Sequence, residues 1–134
     1  RTPITPVLPR TFWAAKLPAR KDVAAIAEGT RVQRSTADDG VDPVEHTSYA
    51  EQVFTSFAAG DGVLGTLTAR GLSEMRSVGS ALREELVRSD GLLGARVEPA
   101  ALRVFSTDIP RTIQSVQALL STLAPPLERS TSSG

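Results

Sequence analysis

The sequence predicts an α/β fold, and three observations carry that prediction. Leu102 to Phe105 is a short run containing Val and Phe, suited to a strand, and it leads directly into a helix. That helix and a second one at residues 68–88 each carry an apolar stripe that must cover something. The order helix, loop, strand, helix is the order of layered α/β packing. One strand cannot make a sheet. Either further strands hide in the irregular first half, or the rest of the sheet lies outside this chain.

The stretch from Leu102 to Leu123 is the most legible. After the strand come Ser106, Thr107 and Asp108, all residue types that cap helices. Pro110 then occupies a first-turn position, where the N–H it lacks would have no partner. Ile109, Ile113, Val116, Leu120 and Leu123 recur at alternating steps of four and three, one stripe along a helix. Pro125 and Pro126 stop it. Arg111 falls in the first turn. A helix start offers unpaired N–H groups and a partial positive charge, and the guanidinium adds a fixed fork suited to phosphate or carboxylate oxygens. On spacing alone, the plainer reading of Arg111 is a surface arginine paired with Asp108 or with solvent.

The upstream helix begins after Thr68, a cap-type residue, and carries Leu72, Met75, Val78, Leu82 and Leu86 on one face. Glu84 and Arg88 stand one turn apart for pairing. Gly79 inside this helix costs about 1 kcal/mol relative to Ala, which close approach of a neighbour would explain. Gly91 and Gly94 mark the connection to the strand at Leu102.

The first half is less regular. Pro3, Pro6, Pro9 and Pro18 make Arg1 to Pro18 a loop, in which Phe12 and Trp13 read as buried anchors. Asp22 to Ala27 fits a turn of helix. Gly29 to Tyr49 reads as a long irregular segment. Its Asp38, Asp39 and Asp42 lack the alternating spacing of a calcium loop, and no Glu closes it. His46 is the only histidine, and without cysteine a lone histidine builds no metal site. Nothing beside it forms a nucleophile or general-base motif. Tyr49 to Phe57 fits a two-turn helix, after which Gly60, Gly62 and Gly65 punctuate the chain.

Composition narrows the function classes. The 134 residues are near the usual size of one domain. Fifteen Lys+Arg balance fifteen Asp+Glu, so no basic footprint points to nucleic acid. Arginine heavily outnumbers lysine within the basic set. The absence of cysteine excludes disulfides and thiol chemistry, and no run approaches the roughly 20 apolar residues that span a bilayer.

Two motifs together carry a resemblance. Gly65-Thr66-Leu67-Thr68-Ala69-Arg70-Gly71 opens the first long helix, and Ser106-Thr107-Asp108-Ile109-Pro110-Arg111-Thr112 opens the second. This resembles the histidine acid phosphatase family of the histidine phosphatase superfamily, with its Gly-x-Leu-Thr-x-x-Gly turn and its strand ending in Ser-Thr-Asp-x-x-Arg-Thr. The family signature, Arg-His-Gly-x-Arg-x-Pro, is matched in its last three positions by Arg1-Thr2-Pro3. Motif spacing and the Gly-rich lead into Leu67 look most similar to the lysophosphatidic-acid phosphatase-like subgroup. Ala15 to Phe57 is poorly matched.

The resemblance implies a phosphoglycerate mutase-like, three-layer α/β/α fold, of which this chain is an internal piece, mostly helical with few strands. Residues 1–126 would be a partial histidine acid phosphatase domain and 127–134 a disordered polar tail. It implies hydrolysis of a phosphomonoester, such as a lysophospholipid or a sugar phosphate, through a phosphohistidine. It calls for no metal or cofactor. Arg1 and Arg111 would bind the phosphoryl oxygens, which reverses the plainer reading of Arg111. The nucleophilic His is expected upstream of Arg1, and no His-Asp pair occurs in the chain. Glu45 precedes His46 and no Gly follows it, so the nucleophile role does not transfer there. The expectation is therefore a chain that is inactive and marginally folded by itself. The other reading is a non-catalytic binding module that keeps the phosphatase scaffold. The family's compartments, the secretory pathway, a lysosome-like compartment or the mitochondrion, are not separated by anything in the sequence.

Overall fold

Two parallel helices, α3 and α4, form the centre of the structure, a computed structural model that describes residues 9–35, 41–43 and 66–126. Helix α3 spans Ala69–Arg83 and continues as a π-helical stretch over Glu84–Ser89. Helix α4 spans Pro110–Leu123. Their contacts run in the same order along both. Leu67, just before α3, meets Gln114 near the start of α4. Arg76 and Gly79 meet Leu119 and Thr122, and Arg83 meets Leu123 at the far end. Parallel neighbours must be joined by a return connection, the arrangement of successive helices in α/β folds.

Each end has a local cause. Thr68 Oγ1 accepts a 3.1 Å hydrogen bond from the Gly71 N–H, the cap expected from sequence. The Ala69 N–H donates to the Lys16 carbonyl at 2.8 Å, so two of the first N–H groups of α3, those of Ala69 and Gly71, meet protein acceptors. Past the π stretch, Gly91 takes a φ of 62°, the left-handed geometry that lets the chain turn out of a helix. Pro110 opens α4, as its missing N–H predicts. At α4's other end, Arg83 donates from one guanidinium nitrogen to the Leu123 carbonyl and from the other to the Ala95 carbonyl, both at 2.7 Å. One side chain thereby satisfies a carbonyl left over by α4 and ties the return connection to it.

The helices meet through small residues. A Cβ built on Gly79 would stand 3.0 Å from the Leu119 carbonyl carbon, and closer to its oxygen and to Thr122 Oγ1. The mid-helix glycine is thus the close approach that its cost predicted. Thr122 Oγ1 donates to the Arg76 carbonyl at 2.7 Å across this contact. Ala118 is 0% exposed and packs with Leu72 and Ile26, with Met75 alongside. Ile26 comes from α2, Arg20–Glu28, a longer helix than the single turn expected at Asp22 to Ala27.

Several expectations are corrected. Leu102 to Phe105 is not a strand here. Leu102 has strand-like dihedrals, φ −124° and ψ 133°, but no ladder partner among the described residues, and Phe105 is 86% exposed. Strand propensity describes fit to a sheet, and a segment without a neighbour stays extended and unpaired. The irregular segment at Gly29 to Tyr49 contains a short antiparallel pair instead, β1 Gln33–Ser35 against β2 Val41–Pro43, with Arg34 opposite Asp42. Within the proline-rich N-terminal loop, Arg10–Ala14 forms helix α1. Phe12 is exposed rather than an anchor, its ring edge-on to that of half-buried Trp13 at 5.1 Å. The apolar stripe of α3 is also displaced, because Leu72, Met75 and Gly79 face the core while Val78 is 45% exposed. Tyr49 to Phe57, His46 and the tail at 127–134 lie outside the described residues.

Replacing Gly79 with Ala tests the helix contact. The helix gains about 1 kcal/mol of propensity. The methyl group must push back a backbone carbonyl, which costs about 1–3 kcal/mol or more. Gly79→Ala is expected to lower the urea midpoint, whereas a propensity-dominated site would show a rise.

Candidate phosphate-binding turn

Parallel packing puts the starts of α3 and α4 at the same end of the molecule, so two helix-dipole positive ends lie together. They differ in what closes them. At α3 the Ala69 and Gly71 N–H groups are taken by Lys16 and Thr68. At α4 Pro110 has no N–H, the Thr112 and Ile113 N–H groups both donate to the Ile109 carbonyl at 3.1 Å, and the Arg111 N–H has no acceptor among the described residues. The open donor and the guanidinium therefore belong to the same residue.

Arg111 lies in the first turn of α4, where the sequence puts it, and is half-buried. Among the described residues no carboxylate stands within ion-pair distance of it. No ion pair joins Asp108 to Arg111 among the described residues. Ser106, Thr107 and Asp108 do not cap the helix by side chain either, since Ile109 is the capping residue and receives no side-chain bond there.

What those residues do is fix the turn in front of Arg111. The Thr107 carbonyl accepts from the Ile109 N–H at 2.8 Å, the Thr112 hydroxyl at 2.8 Å and the Ser106 hydroxyl at 2.9 Å. Thr112 Oγ1 is also 2.8 Å from the Ile109 carbonyl and 3.0 Å from Thr107 Oγ1. A threonine has one hydroxyl hydrogen. Thr112 spends it on the carbonyls, so Thr107 is the donor between the two hydroxyls. The sequence Thr-x-x-x-x-Thr thus closes a loop of hydroxyl and carbonyl groups around residues 107–112, and Arg111 sits inside it.

A second anchor is buried. Gln114, 3% exposed, accepts the Leu67 N–H through Oε1 at 3.2 Å. Gln117, also buried, donates from Nε2 to Thr30 Oγ1 at 3.0 Å. Sequence reading passed over both glutamines because an apolar stripe was sought. The available signal was their shared spacing with Ile113 and Leu120 on the covered side of α4. Arg1, the other sequence-predicted phosphate ligand, lies outside the described residues.

A groove of about 610 Å³ lies elsewhere, at the C-terminal end of α4, between Ile26, Gly29, Val97, Leu102, Leu120 and Pro126. Arg111 does not line it. The volume is in the range of ligand sites. It nonetheless sits at the opposite end of α4 from the Arg111 turn, and the charge and open donor that suit an anion are at that turn.

Residues 31–134 match the family model described as "Histidine phosphatase superfamily (branch 2)". The chain belongs to this superfamily. Membership implies an α/β, phosphoglycerate mutase-like fold, consistent with the parallel α3 and α4. Among curated relatives, the chain is 40% identical over 67 residues to "Putative acid phosphatase 10" of Caenorhabditis elegans, covering 50% of this chain and 16% of that protein. It is 37% identical over 67 residues to "Putative acid phosphatase F26C11.1" of the same organism, covering 50% and 15%. It is 40% identical over 73 residues to "Counting factor 60" of Dictyostelium discoideum, covering 52% and 18%. The chain thus spans under a fifth of the relatives it matches. No solved structure matches it. No helix among the described residues of this superfamily member is long and apolar enough to cross a membrane.

The hydroxyl network generates a local prediction. Thr112→Val keeps the shape and removes the bonds to Thr107 and Ile109. The expected cost is about 1 kcal/mol, confined to this turn. Hydrogen exchange of the Ile109 amide should speed up several-fold while the amides of α3 keep their protection. An unchanged Ile109 rate would show that the hydroxyls do not hold the turn.

Proposed function

We propose that the intact protein is a phosphomonoesterase of the histidine acid phosphatase type, and that Arg111 binds the phosphoryl group it transfers. The observation that carries this reading is Arg111 itself: a half-buried residue at a helix start, whose guanidinium meets no described carboxylate and whose backbone N–H has no acceptor among the described residues, in a turn held by hydrogen bonds among Ser106, Thr107, Ile109 and Thr112. Superfamily membership and relatives named as acid phosphatases support it.

The chemistry follows from what phosphoryl transfer requires. Charge spreads over the three equatorial oxygens, and an in-line nucleophile must meet phosphorus. On this reading, the family histidine attacks phosphorus and the ester P–O bond breaks. A carboxylic acid gives its proton to the departing alcohol. Water then cleaves the phosphohistidine to release phosphate. Arg111 contributes oriented positive charge to the equatorial oxygens, and Arg1 a second guanidinium. The proposed substrate is a phosphomonoester, such as a lysophospholipid or a sugar phosphate. Residues 102–105, extended and without a ladder partner among the described residues, are proposed to join the family's sheet in the intact protein, covering the exposed Phe105.

Two experiments test this reading. Arg111→Ala in the intact protein should lower kcat/KM for an aryl phosphate by about 10²–10³, the usual effect of deleting one oriented charge donor. An unchanged rate would remove Arg111 from the site. The purified 134-residue chain should show no turnover above buffer, since Glu45-His46-Thr47 is not the family's nucleophile motif. If the intact protein binds inorganic phosphate but turns over no ester, the binding-module reading replaces the enzyme.

A further inference from the structure

We infer that Gln114 is a positioning residue for the Arg111 turn, an inference that rests on the phosphate-binding reading of Arg111. Gln114 is one helical turn beyond Arg111, and its side chain is 3% exposed. Its Oε1 accepts the N–H of Leu67, 47 residues away in sequence and itself buried. Leu67 directly precedes Thr68, the cap of α3. One amide therefore joins the start of α3 to the second turn of α4.

The geometry makes this bond more than packing. Among the described residues, the remaining α3–α4 polar contacts, Thr122 to Arg76 and Arg83 to Leu123, lie at the other end of α4. A helix held only at its far end can slide or rotate at its near end. A one-residue slip moves a helix by about 1.5 Å, and misplacing a binding group by about 1 Å can cost on the order of 100-fold in rate. Gln114 also gives the buried Leu67 N–H an acceptor, without which that donor would be orphaned against apolar neighbours. An apolar residue at position 114 would fill the space and leave the register of Arg111 unset. The hydroxyl network at residues 107–112 fixes the turn internally, and Gln114 fixes it relative to the rest of the molecule.

The test compares three variants of the intact protein: Gln114→Leu, Thr122→Val as a stability control at the far end, and Arg111→Ala. The readouts are Tm, kcat and KM for an aryl phosphate, and the inhibition constant of inorganic phosphate. Gln114→Leu is expected to raise the phosphate inhibition constant about tenfold and lower kcat. Thr122→Val should lower Tm comparably and leave the inhibition constant unchanged. If Gln114→Leu does not fold, Gln114→Glu, which keeps an acceptor oxygen at the same reach, should fold and hold the inhibition constant within about threefold of the parent. A Gln114→Leu or Gln114→Glu protein whose phosphate inhibition follows Thr122→Val in the first case, or departs tenfold from the parent in the second, overturns the positioning role. An Arg111→Ala protein with unaltered phosphate inhibition overturns the phosphate reading itself, and that result is separate from either outcome at Gln114.

Discussion

The contact between Gly79 of α3 and the backbone of α4 at Leu119 is the constraint on which the rest of the structure depends. It brings two helix backbones close enough for side chains from one to reach carbonyls of the other. Thr122 reaches Arg76 and Arg83 reaches Leu123 because nothing larger than hydrogen occupies position 79. With the far ends clamped, the near ends fall side by side, and Gln114 spans to Leu67. Gly79, eleven residues beyond the cap at Thr68, thus brings the two helices together, and the Gln114 bond joins their starts. Small residues at a helix contact trade side-chain burial for proximity. Here the proximity is converted into hydrogen bonds.

Charge at the α3–α4 start is organised by satisfaction rather than by number. The chain has as many acids as bases, and its exposed pairs, Arg70 with Glu74 and Arg88 with Glu84, are ordinary one-turn pairs of little energetic weight. Arg111 differs because no described carboxylate neutralises it, while its own backbone N–H has no acceptor among the described residues. Two positive dipole ends lie together, and among the described residues the Arg70 N–H of α3 is as open as the Arg111 N–H of α4, but the Arg70 guanidinium is paired with Glu74. An anion approaching this end meets one residue that supplies both a dipole-aligned N–H and a guanidinium.

Helix existence was legible in the sequence because it is a local property. Thr68, Pro110 and Gly91 act where their chemistry requires, through a cap, a missing donor and a positive φ. The cost of Gly79 announced a close neighbour before the neighbour was known. The faces were less legible. Periodicity ranks residues by hydrophobicity, so it chose Val78 over Gly79 and Val116 over Gln114 and Gln117. The real contact face of α3 runs through a glycine, and that of α4 through two amides that satisfy groups 47 and 87 residues away. No local pattern contains those partners. The strand at Leu102 to Phe105 failed for the complementary reason: its propensity is genuine, but a strand is a relation to a neighbour, and none stands beside it among the described residues.

The Ser-Thr-Asp-x-x-Arg-Thr stretch shows how a motif and its physics differ. Its serine and threonines are cap-type residues, and capping would have been a sufficient local reason for them. In the structure they bind one another and the Thr107 carbonyl instead, and the helix is opened by Pro110. A side-chain cap would have consumed a first-turn N–H. Turning the hydroxyls back on their own loop leaves that donor uncovered while holding the loop still. Rigidity without occupancy is what a binding turn needs, because a donor already satisfied must be released before it can meet a ligand, and a mobile one must be ordered.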